Sequence, residues 1–432
     1  MKTLKISLLG IAIILTSVII IVIIQQPKKA NATPKGCVFR TVMGEDPSGG
    51  MNIFNTPEAV SSAIDHALHW MVQAQQEDGG WGAGTHAMQN IMDPHAVKTD
   101  PATTSMVCMA ILRSGCTLSS GEYSEELKNG LKYILDAVEN SDESSNTITS
   151  LTGTQIQVKL GANIDVVLAA QFLSNVLDYS NCETQKERIK KALQVCVDKI
   201  QRLQDANGSF KGNGWAGVLQ SSFASSALEA AKDKGVEVDE TVLEKSKDYQ
   251  KGNYNAQTGA VNTDLGAGVV LYSVSSSVRN SSADARKVRE DLKKAENAGE
   301  IPAQGKSVSA ETLEQIGYSR SDAEKYSTAY NVYNAAKVTA QQERVMNGFG
   351  SNGGEEFLSY LQTGESMIIN KDSEWKKWYD NVSGKLVNIQ NEDGSWNGHH
   401  CITSPVFCTA TSLLILSVNN DVDKLMKVGN DE

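Results

Sequence analysis

Six histidines and a few carboxylates decide what chemistry this chain could support. His86, Asp93, His95 and Asp100 fall within one polar loop, and two imidazoles with two carboxylates form a donor set that suits a divalent cation. His399-His400-Cys401 occupies a second polar loop near the C-terminus. If the two loops meet, His86, His95, His400 and Cys401 supply the nitrogen and sulfur ligands of a zinc site, although their spacing matches no closed zinc pattern. A third candidate is the run Gln155, Gln157, Lys159 and Asp165, polar groups placed just before or at the start of an apolar helix, where Asp165 also complements the helix macrodipole. For each set the alternative is a solvated polar loop or a helix cap without a ligand. No cofactor is required by the sequence, and zinc is the one option it leaves open. His66 and His69, at i and i+3 beside Trp70, lack a third ligand and are assigned to surface or packing. There is no nucleophile elbow, phosphate loop, His-Glu-x-x-His or EF-hand loop.

The elements that must position these residues are helical. Ile64, Ala67, Leu68 and Met71 form an apolar stripe at helical spacing, opened by Thr56-Pro57 and stopped at Gln75-Gln76-Glu77-Asp78-Gly79-Gly80-Trp81. A second helix starts at Asp100-Pro101 and is apolar on every side through Leu112. Alternation of one-faced and fully apolar helices is what two concentric layers require. The pattern recurs: Ile189 to Leu203 ends in Gln204-Asp205-Ala206-Asn207-Gly208-Ser209-Phe210, followed by the small-residue helix Ser221 to Ala230. Trp378 to Ile389 ends in Gln390-Asn391-Glu392-Asp393-Gly394-Ser395-Trp396, followed by Pro405 to Val418. Degenerate copies lie between them, Tyr123 to Val138 with Ile164 to Leu177, and Val242 to Tyr249 with Asp264 to Val274. A recurrence of roughly 50–65 residues per hairpin is the mark of a repeat architecture. The expectation is an all-α fold, an α/α toroid of five to six helical hairpins in two concentric layers, following an N-terminal hydrophobic helix.

These stops resemble the QW-type repeats of the terpenoid cyclase and protein prenyltransferase α/α toroid family, which includes squalene and hopene cyclases. The resemblance covers residues 56–418 as architecture, with sharp motifs at the three stops alone. It implies that Gln caps a helix end and that the aromatic ring stacks on the neighbouring repeat. Gln75, Gly79 and Trp81, then Gln204, Gly208 and Phe210, then Gln390, Gly394 and Trp396 would thus fasten the ring. Cyclases of this family protonate their substrate with an Asp-x-Asp-Asp cluster, and the prenyltransferases hold zinc with Asp-x-Cys and a distant His. Neither string occurs here; the nearest, Asp421-Val422-Asp423-Lys424, lies in the polar tail.

Composition bounds the rest. With 40 basic against 51 acidic residues the net charge is −11, which excludes nucleic acid as a partner, because such a body repels a phosphate backbone. Ile6 to Ile24 is charge-free and long enough to span a bilayer, while Ala30-Asn31-Ala32 fits a signal-peptidase site, so residues 1–32 read either as a retained anchor or as a cleaved signal. Either way the body is exported, membrane-anchored or secreted. Residues 33–55 read as a linker and 419–432 as a polar tail. The polar stretch 276–319 reads as an insertion, and 320–354 as an added helix, bearing Tyr326, Tyr330 and Tyr333, with a Gly-rich loop; the pair forms a flap over one mouth or a solvated decoration. Seven cysteines are too few for a disulfide scaffold; Cys401 with Cys408 is the first candidate bridge, and Cys108 and Cys196 read as buried thiols.

Two functions follow as expectations. One is a ligand-binding or assembly module of the cell envelope, attached to the membrane by its N-terminal segment, with a hydrophobic or polymeric ligand or an envelope protein as partner. The other is a divergent enzyme on the same fold, an isoprenoid cyclase or prenyltransferase or a polysaccharide lyase or hydrolase, using the His/Asp/Cys loops at one mouth of the ring.

Overall fold

The computed structural model describes residues 56–210, 212–347 and 354–429; the N-terminal apolar segment, the Ala30-Asn31-Ala32 triplet, Cys37 and the glycines between 348 and 353 lie outside the described residues. Twelve helices form six hairpins. The first joins α1 (Glu58–Gln73) to α2 (Pro101–Arg113), and the second joins α3 (Ser124–Glu139) through the short α4 (Gln155–Leu160) to α5 (Ile164–Val176). The third is α6 (Glu183–Gln201) with α7 (Gly217–Asp233), and the fourth α8 (Glu240–Gly252) with α9 (Val270–Asn297). After the short α10 (Ala310–Gln315), α11 (Arg320–Ala340) and α13 (Gly354–Ile369) make the fifth, with α12 (Glu343–Met346) between them. The sixth is α14 (Trp375–Asn388) with α15 (Pro405–Leu416), and α16 (Val422–Leu425) follows.

The second helices of the hairpins pack side by side in the order α2, α5, α7, α9, α13, α15, and α15 returns to α2, so the inner layer is a closed six-helix ring. Each first helix lies outside, against the inner helix of the preceding hairpin. Burial follows the sequence pattern. Every residue of α2 and of α15 is buried, as helices apolar all round require. In α3, by contrast, Leu127, Leu131, Ile134, Leu135 and Val138 are buried along one stripe and the remainder of the surface is charged.

The three stops share one geometry. The Gln75 amide donates to the Gly79 carbonyl at 2.9 Å and to the Glu126 carbonyl of α3 at 2.9 Å. Gln204 donates likewise to Gly208 and to Val242 of α8, at 3.4 and 2.7 Å, and Gln390 to Gly394 and to Ala63 of α1, at 2.8 and 2.9 Å. A helical carbonyl has a second lone pair, so it accepts this bond without losing its own. Each stop glycine is left-handed, φ 84°, 91° and 93°, and presses against the carbonyl three residues further along that same neighbouring helix, at Asn129, Lys245 and His66. The indole N–H groups of Trp81 and Trp396 donate back to Met71 and Leu386, occupying carbonyls in the last turn of their own outer helix. The backbone N–H groups of Trp81, Phe210 and Trp396 donate to Thr104, Ser221 and Thr409 on the inner helix of the same hairpin. The fourth hairpin carries a reduced version, an isolated bridge between Tyr254 and Val261 matching that between Gln204 and Phe210.

Two segments sit differently from the sequence expectation. Residues 276–297 belong to α9, the fourth inner helix, and not to an insertion; Ser276, Ser277, Ser281 and Ser282 are buried in it. Ser277 and Ser282 donate to the Ser273 and Arg279 carbonyls of their own helix and Ser276 donates to Gln362 of α13, and the small size of serine lets helices approach, so a polar composition here marks close packing. Helix α11 packs along α9 as the fifth outer helix, with Tyr330 and Tyr333 in the core they share, and is not a flap. Cys401 and Cys408 carry free thiols, which corrects the bridge expected between them; Cys108 and Cys196 are free and buried.

A Cβ on Gly394 would stand 2.7 Å from the His66 carbonyl oxygen, whereas one on Gly384, in mid-α14, meets nothing within 4 Å. Urea unfolding should therefore find Gly394→Ala destabilised by about 1–3 kcal/mol or more. Gly384→Ala should be stabilised by roughly 0.5–1 kcal/mol, and equal effects of the two would show that the stop does not close the ring.

Candidate functional site

The loops joining outer to inner helices gather at one end of the ring, and that end is plugged. Thr154 and Gln157 form a capping box that starts α4. Gln155, fully buried, accepts from the Thr403 and Ser404 backbone at 2.7 and 3.2 Å, while its own N–H donates to Gly84. Ala216 N donates to the Lys159 carbonyl at 2.7 Å. The short helix thus binds the first, third and sixth hairpins together. Lys159 is buried apart from its contact with the exposed Trp215, whose ring centre lies 4.0 Å from Nζ. Gln155, Gln157 and Lys159 are therefore parts of a plug.

The histidine loops do approach each other, through Thr403 Oγ1 donating to the Gln89 carbonyl at 2.6 Å. The imidazoles are turned to other tasks. His86 bonds the Gln89 side chain, and burial together with nearby Lys159 lowers its pKa against the pull of Glu355, which favours the neutral ring. His95 is exposed, with its ring on the Gln73 carbonyl at 3.0 Å, and the Asp93 carboxylate caps its backbone N–H at 2.9 Å. His400 packs edge-on against His399. Cys401 stands in left-handed backbone, φ 63°, and burial beside Glu355 pushes its thiol up to about 11. Among the described residues no three of His, Cys, Asp and Glu gather as a metal-holding group, so His86, His95, His400 and Cys401 do not form the expected donor set.

Asp100 caps α2 through Thr103 and Ala83, a structural task. Asp165 accepts from the Ile148 backbone at 2.8 Å, and burial, opposed by its backbone hydrogen bonds and helped by the nearby Asp100 charge, raises its carboxyl to about 7. Its charge is felt by Cys196 and Lys199 of the outer helix α6.

The opposite end, at the C-termini of the inner helices, opens on a central cavity of about 530 Å³ to which all six inner helices contribute. Met106, Phe223 and Leu361 are among its apolar walls; Gln171, Asn175 and Gln362 are polar ones. A chain of alternating charges runs round it. Asp421 and Glu365 take Arg113 at 2.6 and 2.7 Å, and Lys247 takes Glu229 at 2.7 Å. Arg279 sits between Glu229 and Glu365 at 3.6 and 3.7 Å. Burial works against the ionised Glu229 carboxyl, but Lys247 and Arg279 outweigh it and hold the pKa below its usual value. The C-terminal segment crosses this mouth, tied by Arg113 to Asp421 and by the Arg286 guanidinium, which donates to the Ile369, Met426 and Val428 carbonyls. Asp421, expected in a detached tail, is thus part of the cavity wall. Sequence reasoning missed Arg113, Glu229, Arg279, Glu365 and Asp421. The one available signal was at Arg113, a single charge at the end of an otherwise uncharged helix.

Residues 48–158 match the family model of the squalene-hopene cyclase C-terminal domain. The match takes in the first stop and the first hairpin and continues to α4, about a quarter of the chain, and it bears out the resemblance carried by Gln75 and Trp81. No curated protein matches the chain.

The buried Asp165 gives a pH test. Its proton is held in the folded chain up to about 7, whereas an unfolded aspartate releases it near ~3.9. Its contribution is therefore complete at low pH, declines as pH rises between those values, and is level above. Asp165→Asn should remove that decline. Relative to wild type, its unfolding free energy in urea should improve by up to about 4 kcal/mol between pH 4 and pH 8. A pH-independent difference would refute the buried, proton-holding carboxyl.

Proposed function

We infer that this squalene-hopene-cyclase-like toroid is a ligand-binding or assembly module of the cell envelope, exported and membrane-associated through its N-terminal apolar segment, and that its ligand enters the central cavity from the open mouth. The observation that carries the reading is the asymmetry of the ring. One end is stoppered by buried α4, and the other leads into a cavity of about 530 Å³ with apolar and hydrogen-bonding walls. That volume and mixture are those of a small-molecule pocket. The lack of the family's Asp-x-Asp-Asp acid and Asp-x-Cys zinc ligands supports binding over the family's best-known reactions. Export and membrane association rest on the charge-free run from Ile6 to Ile24.

Mass spectrometry of the full chain purified from its own envelope, intact and after solvent extraction, tests this. A stoichiometric small molecule is expected with the native chain. Ser226→Trp, which places an indole in the cavity wall, should abolish it. An empty native chain whose thermal midpoint is unmoved by envelope extracts would overturn the reading.

A further inference from the structure

The walls of the central cavity are layered. Met106, Phe223 and Leu361 lie six to eight residues into their helices, whereas Arg279, Glu365 and Arg113 lie ten to thirteen residues in, nearer the open mouth. At a rise of about 1.5 Å per residue that is roughly one helical turn. A molecule entering from the mouth therefore meets charge first and apolar surface beyond it.

Within the charged layer Arg279 stands apart. It is 7% exposed, and its Nε has no hydrogen-bond partner. The two carboxylates nearest to it stay at 3.6 and 3.7 Å, beyond hydrogen-bond range, because each is held by another cation: Glu229 by Lys247 and Glu365 by Arg113, both at 2.7 Å. A buried guanidinium held by no close hydrogen bond is costly, and a planar acceptor that takes two N–H groups at its accessible edge relieves that cost. The lining as a whole carries six basic against five acidic side chains, in a chain whose net charge is −11. One positive charge is in excess where the body is acidic.

We propose that the cavity receives a single-chain amphiphile with a monoanionic, carboxylate head, seated on Arg279 with its apolar tail directed toward Met106 and Phe223. This rests on the cavity-binding reading above. A carboxylate matches the one excess charge and the planar fork of the guanidinium. A head carrying two or more negative charges would place the surplus against Glu229 and Glu365, where like charges repel.

The test is calorimetric titration of the full chain in nanodiscs, with empty nanodiscs as baseline, using octanoate, octyl phosphate and octanol. Octanoate should bind about tenfold or more tighter than octanol, and tighter than octyl phosphate. Arg279→Gln should remove the preference of octanoate over octanol while leaving octanol binding in place, and Arg279→Lys should retain part of it. Should the Gln variant fail to fold, the three head groups on the unaltered chain and the Lys variant decide. Octanol binding as tightly as octanoate, or a preference for octyl phosphate, would overturn the carboxylate assignment while leaving the cavity reading intact. Binding of none of the three, together with no co-purifying molecule, would overturn both.

Discussion

The whole ring depends on a space too small for a methyl group. At each of the three stops a glycine lies against a carbonyl of the next outer helix, and the glutamine four residues earlier bonds a carbonyl one turn before that contact. The stop ends a helix, reverses the chain and sets the distance to its neighbour in one short segment. The nearest contact is made with backbone, and side-chain atoms of Asn129, Tyr249 and His66 close the rest of the space. Burial of Trp81 and Trp396, each with its indole N–H satisfied, adds the apolar part of the same joint.

Closing a ring of six hairpins leaves two unequal ends, because all outer-to-inner loops lie on one side. These loops are long enough to fold inward, and α4 shows how: the Gln155 side chain accepts hydrogen bonds from the residues that open α15, and the Lys159 carbonyl of α4 accepts one from the third hairpin. The tighter turns at the other end leave the inner helices standing round an open space. Polar groups there cannot be satisfied by loops, and they pair across the lumen instead, from Asp421 through Arg113, Glu365, Arg279 and Glu229 to Lys247. Such a chain of buried pairs is weak evidence for stability, because each charge gives up its water to be there.

The helical pattern made most of this architecture readable in advance. The three stops, the alternation of one-faced and fully apolar helices and the first degenerate hairpin appear in the folded chain at nearly the expected residues, whereas the inner helix of the second begins at Val270 and runs on to Asn297. Serine misled the reading of 276–297, since hydroxyls that bond their own helix look solvated in composition and are packed in fact. The histidines misled it differently. The two loops do meet, as a shared site would require, but ring orientation is decided by local partners, Gln89 for His86 and the Gln73 carbonyl for His95, which spacing does not encode. The lumen charges were invisible as a group because each comes from a different helix, and only the closed ring brings residues as far apart as Arg113 and Asp421 to 2.6 Å.

The bond from Gln390 to the Ala63 carbonyl joins residues 327 apart in the chain. Until α14 and α15 have been made, α1 and α2 have no neighbour on one side, and the growing protein is an open horseshoe with an apolar face at its leading edge. Closure of the ring therefore waits on its last hairpin, whose Gln390 reaches back to the first helix.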